Sequence, residues 1–420
     1  MRVHITVMTV GTHGDVRPFV ALGRGLRSEG HAVRIATHDV HAGFVERHGL
    51  EFASLEGNPR ALLESHLGQA WLRSGNNPVT FWRRLRTLVR ENVEKGLADA
   101  VQACRGTDAV IHTFFGAAGY HVAQKMGIPH LMATLQPFAR TRAFPCGGFP
   151  ALPFGGAYNL LTYRIAEEAA WQMGRRWVNS FREDVLGMEP LPRWGALSRL
   201  YAESETVLCG FSEHVVPRPG DWPGNHEIAG FWFMDDSAWS PPDDFLDFTG
   251  AGPAPIVIGF GSLGGSIARR LYEVAVEALS LTRQRAVLLG GWADAGDLAL
   301  PEKVYGIESA PHGWLFPRVA AVVHHGGAGT TAAAIRAGVA SVVIPLFADQ
   351  PFWGQRVHAL GVGPPPLRAR RLSARLLADA IKLAVSDGGM RCRAARLAEK
   401  VQAEDGISRA VQCALRTFGG

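Results

Sequence analysis
Short apolar runs alternate along this chain with stretches whose apolar positions recur at three- and four-residue spacing. The runs suit strands buried on both faces of a parallel sheet, and the spaced stretches suit amphipathic helices. From the N-terminus, the pattern predicts a strand over 3–10 and a helix with Phe19, Leu22 and Leu26 on one face, stopped at Gly30. A strand over 31–37 completes a βαβ unit, and Gly49-Leu50-Glu51-Phe52 has the look of a short third strand. The alternation returns as strand 109–113, helix 117–126, strand 130–134 and strand 207–211. A helix over 81–97 carries Phe81, Leu85, Leu88, Val89 and Val93 on one face, with Arg83, Arg84, Arg86 and Arg90 elsewhere. Such a helix can lie on a membrane surface or pack, solvated, on its own domain, so peripheral membrane contact stays open. Residues 136–156 are too rich in Pro, Gly and Phe for one regular element. A loop of that length is functional or disordered, and its aromatics speak against disorder. A long helix over 158–181 follows, with Leu161, Ile165, Trp171 and Trp177.

Pro217, Pro219, Pro223 and Gly224 then break the pattern, and Pro241-Pro242-Asp243-Asp244 caps a short helix. Beyond them the α/β alternation restarts, with strands over 255–260, 286–290, 304–307, 319–323 and 341–344, and helices over 272–281, 372–385 and 391–415. The expected division is an N-terminal domain over 1–222, a linker over 223–242 and a second domain over 243–404. Two domains suit 420 residues at roughly 100–200 residues each.

Charge narrows the function. The 43 basic and 38 acidic residues leave a net charge of +5, and the basic residues are scattered, so nucleic acid is not implied. Arg far outnumbers Lys and Ala is abundant, which hints at a GC-rich bacterial genome. Cys104, Cys146, Cys209, Cys392 and Cys413 are odd in number and include no C-x-x-C pair, as expected of thiols in a reducing cytosol. The N-terminus reads as a strand rather than a signal peptide, and no apolar run approaches the ~18 residues of a membrane span. The expectation is a soluble, cytoplasmic protein.

The densest chemistry lies at His324-His325-Gly326-Gly327-Ala328-Gly329-Thr330-Thr331, between a predicted strand and a short Ala-rich helix. A helix N-terminus after a Gly-rich turn presents free N–H groups and a partial positive charge, which suits a diphosphate. His325 adds a donor or a charge. Pro345 and then Ala348-Asp349-Gln350-Pro351 follow the next strand, where Asp349 and Gln350 either form an ordinary surface turn or accept from and donate to the hydroxyls of a bound ligand.

These residues resemble the donor-binding signature of the family 1 nucleotide-sugar glycosyltransferases. The similarity is greatest to bacterial natural-product enzymes, such as those of glycopeptide antibiotics, and to sterol glucosyltransferases. It is strongest at 1–40 and 255–365. It implies the α/β GT-B fold: two Rossmann-like α/β/α domains with parallel sheets facing across a cleft, and a C-terminal helix, about 405–420, crossing back to the first. It further implies a nucleoside diphosphate sugar as co-substrate, with Gly261, Ser262, His325, Gly327, Gly329 and Thr330 at its diphosphate and Thr12 contacting a phosphate. Backbone near Pro311 and His312 would hold the base, and Trp292 either lines the donor site or is plain core. The acceptor pocket falls in the N-terminal half, where Phe138, Phe144, Phe149 and Trp171 are the candidates.

Gly259-Phe260-Gly261-Ser262-Leu263-Gly264 also matches a dinucleotide fingerprint. The next strand, however, ends in Gly290-Gly291-Trp292 rather than in the acidic residue that would hold a ribose. Glycosyl transfer needs a stabilised leaving diphosphate, a deprotonated acceptor hydroxyl and an oriented sugar. No His, Asp and Glu cluster has metal-ligand spacing, so neither cofactor nor metal is expected. The aromatic, Pro-rich segment 137–181 predicts an apolar polycyclic or macrocyclic alcohol or phenol as acceptor. Uridine and thymidine donors share nearly the same motifs, and both stay open, as does the oligomeric state. A nucleotide-sugar epimerase and a non-catalytic activator of another glycosyltransferase are the rival readings.

Asp15 is the expected general base, in Gly14-Asp15-Val16-Arg17-Pro18 after the first strand. The family motif sets Pro three residues after the catalytic position, as Pro18 stands to Asp15. Asp15 could also cap a helix starting at Val16. His13 is the rival base, better matched in pKa but standing where the resemblance puts a phosphate contact. Single displacement at the anomeric carbon implies inversion.

Overall fold
The computed structural model describes residues 2–72, 78–197, 206–235, 239–261, 263–290 and 300–419. The side chains of 81, 82, 85, 86 and 88–92, which carry most of the basic amphipathic pattern, lie outside the described residues. The chain divides into two units: Met1–Met234 with Asp405–Gly420, and Asp235–Glu404.

The first unit runs β1 (His4–Met8), α1 (His13–Ser28), β2 (Ala32–Thr37), α2 (Ala42–Arg47), β3 (Glu51–Ser54), α3 (Pro59–Glu64), α4 (His66–Leu72) and α5 (Pro78–Ala103). It continues with β4 (Ala109–His112), α6 (Ala118–Met126), β5 (His130–Thr134), α7 (Gly155–Ser180), β6 (Val207–Cys209) and β7 (His226–Ile228). The strands form one sheet in the order β3-β2-β1-β4-β5-β6-β7, every neighbour parallel. Alternation along β1 feeds both faces. Ile5 and Val7 join Phe19, Leu22 and Leu26 of α1, while Met8 joins Val110, Val122 and Phe181 on the other side.

Residues 226–228 correct the expected linker. They are the edge strand β7, held when Val207 N–H bonds Asn225 O and Ala229 N–H bonds Cys209 O. The open edge of β6 captures three residues too few to show a period of their own.

The second unit runs α8 (Asp243–Gly250), β8 (Ile256–Gly259), α9 (Gly265–Thr282), β9 (Ala286–Leu289), β10 (Val304–Ile307) and α10 (His312–Leu315). Then come β11 (Ala321–His324), α11 (Ala328–Arg336), β12 (Ala340–Val343), α12 (Gln350–Ala359), α13 (Ala374–Ser386) and α14 (Gly388–Gln402). Its parallel strands lie in the order β10-β9-β8-β11-β12, over a core with Phe245, Val257, Phe316 and Val322. In each sheet the crossovers reverse direction beside the first strand, between β1 and β4 and between β8 and β11, where open α/β sheets bind ligands at the carboxyl ends.

The last helix, α15 (Gly406–Gly419), belongs to the first unit. Val411 and Ala414 complete the core behind α1, and Arg416 ion-pairs with Glu227 of β7 at 2.6 Å. The helices meet at Gly25, where an added Cβ would stand 2.6 Å from Ile407 Cγ2 and 3.0 Å from Val411 Cγ2. A glycine inside a helix costs roughly 1 kcal/mol relative to Ala, and here that cost permits the close approach.

Candidate active site
In the first unit, β1 delivers the chain to a tight turn before α1. The helix begins at His13 with Thr12 as its N-cap, so Asp15 is the third helical residue and not the cap that a start at Val16 would make it. Oδ2 of Asp15 accepts from Thr12 N–H at 2.8 Å and from the Thr12 hydroxyl at 3.0 Å. Both donors of Thr12, the residue expected at a phosphate, are engaged here by Asp15. No donor among the described residues reaches Oδ1. Asp15 is exposed, yet surrounding protein raises its carboxyl above the ordinary value, with desolvation outweighing the Thr12 bonds and the charge of His41. Because water reaches the carboxylate, solvent holds that rise in check. His13 packs its ring on Phe44 of α2 at 4.7 Å and lies 6.4 Å from the His41 ring.

In the second unit, β11 ends in His324 and a Gly-rich turn leads into α11. His324 is fully buried, and its Nδ1 accepts from Gly326 N–H at 3.1 Å, so this histidine braces the turn. Gly327 is the N-cap, and the first-turn amides of Ala328, Gly329 and Thr330 are those a helix leaves without internal acceptors. The His325 ring lies against the backbone of both β-strand turns: an added Cβ would stand 2.8 Å from it at Gly261 and 2.5 Å at Gly327. Burial pushes His325 down to about 4, so at neutral pH the ring is neutral and not the cation that the sequence left open. Pro311 caps the single turn α10 beyond β10, and His312 stacks on Phe316 at 4.4 Å. Ser262 and Trp292 lie outside the described residues.

Asp349 and Gln350 sit just past β12, in a turn where Ala348 holds φ at 54°, unusual for a residue with a Cβ. Gln350 Oε1 accepts from Leu346 and Phe347 N–H at 2.9 and 3.2 Å, and Asp349 Oδ2 accepts from the Trp353 indole at 2.8 Å. Both side chains thus build the turn that presents them, and the amide nitrogen of Gln350 is not used in it.

The proposed acceptor residues separate. Phe138 stacks on Phe114 at 5.3 Å, and Phe114 meets Phe115 edge-on at 5.2 Å, forming an aromatic cluster beyond the carboxyl ends of β4 and β5. Phe144 and Phe149 are half-buried in the loop before α7, which is tied down where Thr141 Oγ1 and Arg142 N–H both donate to Asp221. Trp171 is 3% exposed, and its indole N–H is spent on the carbonyls of Pro192 and Arg193 at 3.1 and 3.0 Å. It anchors α7 rather than opening onto a ligand, a correction that follows from its face of the helix. A nearby cavity of about 290 Å³ is lined by Arg140, Arg164, Glu167, Glu168, Gly195 and Leu197, more charged than an apolar acceptor requires.

Sequence reasoning missed His41, Phe114 and Phe115. Each stands a few residues past a strand adjacent to β1 or β5, so the carboxyl-end rule applied to β2 and β4 would have found them. Among the described residues no group of three or more His, Cys, Asp or Glu could hold a metal ion, and no helix is long and apolar enough to cross a membrane.

Residues 5–145 match the glycosyltransferase family 28 N-terminal domain, and residues 292–412 match the erythromycin biosynthesis protein CIII-like C-terminal domain. A sterol 3-beta-glucosyltransferase of Cryptococcus neoformans is 34% identical over 438 residues, covering 98% of this chain and 27% of that protein. The chain therefore spans about a quarter of the length of the curated relatives it matches. The glycosyltransferase of kitacinnamycin superposes with a TM-score of 0.74 at 20% identity, with 100% of both chains covered. SsfS6 from Streptomyces sp. SF2575, complexed with thymidine diphosphate, does so with a TM-score of 0.63 at 18% identity, covering 99% of this chain and 100% of that one. At these identities the likeness to solved structures is one of fold.

Proposed function
This chain belongs to the GT-B nucleotide-sugar glycosyltransferases of family 1, and we propose that it moves a hexose from a uridine or thymidine diphosphate sugar to the hydroxyl of a sterol or similarly apolar polycyclic acceptor, inverting the anomeric carbon. The observation that carries the reading is the Asp15 carboxylate, with Oδ2 fixed by Thr12 and Oδ1 open at the carboxyl end of β1. Oδ1 takes the acceptor's proton as the acceptor oxygen attacks the anomeric carbon. The bond to the diphosphate breaks on the opposite face, and the leaving group's charge falls on the first-turn amides of α11 and on neutral His325. This stabilisation requires no metal. The choice of a sterol rests on the sequence relatives, which are sterol glucosyltransferases of fungi, and the thymidine alternative on the nucleotide that SsfS6 holds.

A thermal-shift series with UDP-, TDP- and GDP-sugars identifies the donor, since ligand at 100 times its Kd stabilises by roughly 2.7 kcal/mol. Transfer is then measured to 3β-hydroxysterols, to macrocyclic aglycones and to free sugars, and the product's anomeric configuration is read by NMR. A product of retained configuration, activity on free sugars alone, or an altered donor sugar released without acceptor overturns the reading.

A further inference from the structure
His41 is 5% exposed and stands in a single turn of 3-10 helix, Asp39–His41, just past β2. Its Nε2 lies 3.2 Å from the carbonyl oxygen of Gly11. A carbonyl only accepts, so Nε2 carries the hydrogen and the ring's tautomer is set by this contact. Gly11 in turn is the residue against which Asp15 rests: its φ is +144°, and an added Cβ would meet Asp15 Oδ2 at 2.3 Å. The side chain of His41, the peptide of Gly11 and the carboxylate of Asp15 therefore stand in one line of contact, linking the adjacent strands β2 and β1. Thr12 fixes the same Oδ2 from the other side.

We propose that His41 is a positioning residue: its Nε2–H holds the Gly11 carbonyl, and so seats the turn that aims Oδ1 of Asp15. The proposal rests on Asp15 being the base. The titratable groups that act on or stand near His41 are Asp15 and His13 from α1 and His38 beside it in the chain, while Asp39 acts on His38. Desolvation lowers the pKa of His41 from 6.5, against the opposing pull of the Gly11 bond and the Asp15 charge. The ring is thus neutral at pH 7.5 and bears no charge that would weaken the base. Protonated at acid pH, it lowers the pKa of Asp15 and makes it a poorer proton acceptor.

The test takes the full chain, with UDP and TDP as binding probes and UDP-glucose, TDP-glucose and a 3β-hydroxysterol for turnover. Nitrogen NMR on histidine-labelled protein at pH 7.5 is expected to find His41 as the Nε2–H tautomer. His41→Leu is expected to lower kcat by about 10- to 100-fold, the scale of a small misplacement, with nucleotide Kd and melting temperature near those of the wild type. His41→Gln, whose amide N–H can reach the same carbonyl, is expected to regain most of kcat and to lose one ionisation from the acid limb of the pH profile. An Nδ1–H tautomer overturns the proposal whatever the substrate. So does wild-type kcat in His41→Leu, or a His41→Gln variant as slow as His41→Leu. Asp15→Asn, measured alongside, separates the two failures. If it is inactive while His41→Leu is normal, only the positioning role falls, and if it is fully active, the base assignment falls and takes this role with it.

Discussion

A Cβ built on Gly11 would stand 2.3 Å from Oδ2 of Asp15, so the backbone of one residue is the surface against which the carboxylate of the other is set. Gly11 also holds φ at +144°, a conformation that L side chains rarely adopt. Gly11→Ala must therefore push the carboxylate off its Thr12 donors or shift the turn. We expect turnover to fall about 100-fold while the protein stays folded and keeps its affinity for nucleotide. Unchanged kcat in a folded variant would show that the contact does not aim the base.

Asp15→Asn keeps the shape of the side chain and removes its basicity. General-base catalysis contributes roughly 10²–10⁴-fold, so turnover should fall by about 100-fold or more with donor binding intact. His13→Ala is the control, because that ring packs on Phe44 beside the same turn. If Asp15→Asn stays active while His13→Ala is dead, the two roles are exchanged.

His325 lies between two backbone segments and is held near 4, so in the proposed reaction it serves as a neutral donor. His325→Ala should lower turnover by about 100-fold, the scale of losing one oxyanion donor. Because the ring does not titrate near neutrality, the ratio of wild-type to variant rates should be flat between pH 6 and pH 8. A ratio that grows as pH falls through 6.5 would mean that the cation is the active form.

Several buried histidines make stability depend on acid pH. His112 and His121 are held to about 3, and His226 and His325 to about 4, each mainly by desolvation. Their folded pKa values lie below the free value of 6.5, so the unfolded chain binds protons first. The resulting stability is complete above pH 6.5 and is lost as pH falls towards 4 and then 3. Asp221 and Asp405 are lowered from 3.8, so they add to the loss only below that value. Melting temperature should be level from pH 8 to pH 7 and fall between pH 6.5 and pH 4. The slope should lessen in His226→Gln, and a level curve down to pH 4 would contradict the neutral, buried state of these rings.

How much was legible depended on whether a residue's role lay near it in the chain. The turn from β11 into α11 could be read directly, because an apolar run, three glycines and an Ala-rich helix lie end to end. Asp15 could be placed after β1, but as a possible cap of a helix starting at Val16, whereas the capping bonds from Thr12 depend on a start at His13. The contact of His41 with Gly11 spans 30 residues and two strands, which no local pattern records. Trp171 shows the converse: an aromatic in a long helix reads alike whether it faces core or ligand, and only the carbonyls of Pro192 and Arg193 decide it. β7 escaped because three residues cannot display alternation, and its place was settled by the free edge of β6.

The return of α15 to the first unit has a consequence for synthesis on the ribosome. The second unit, Asp235–Glu404, is continuous and can fold as soon as it has emerged. The first unit is made earlier but waits for residues 405–420, because Val411 and Ala414 cover the back of α1 around Gly25. Until then that apolar face stands bare, so the unit translated earlier is the one that matures later. A released chain truncated before residue 405 should accordingly show the second unit resistant to protease and α1 still open to it.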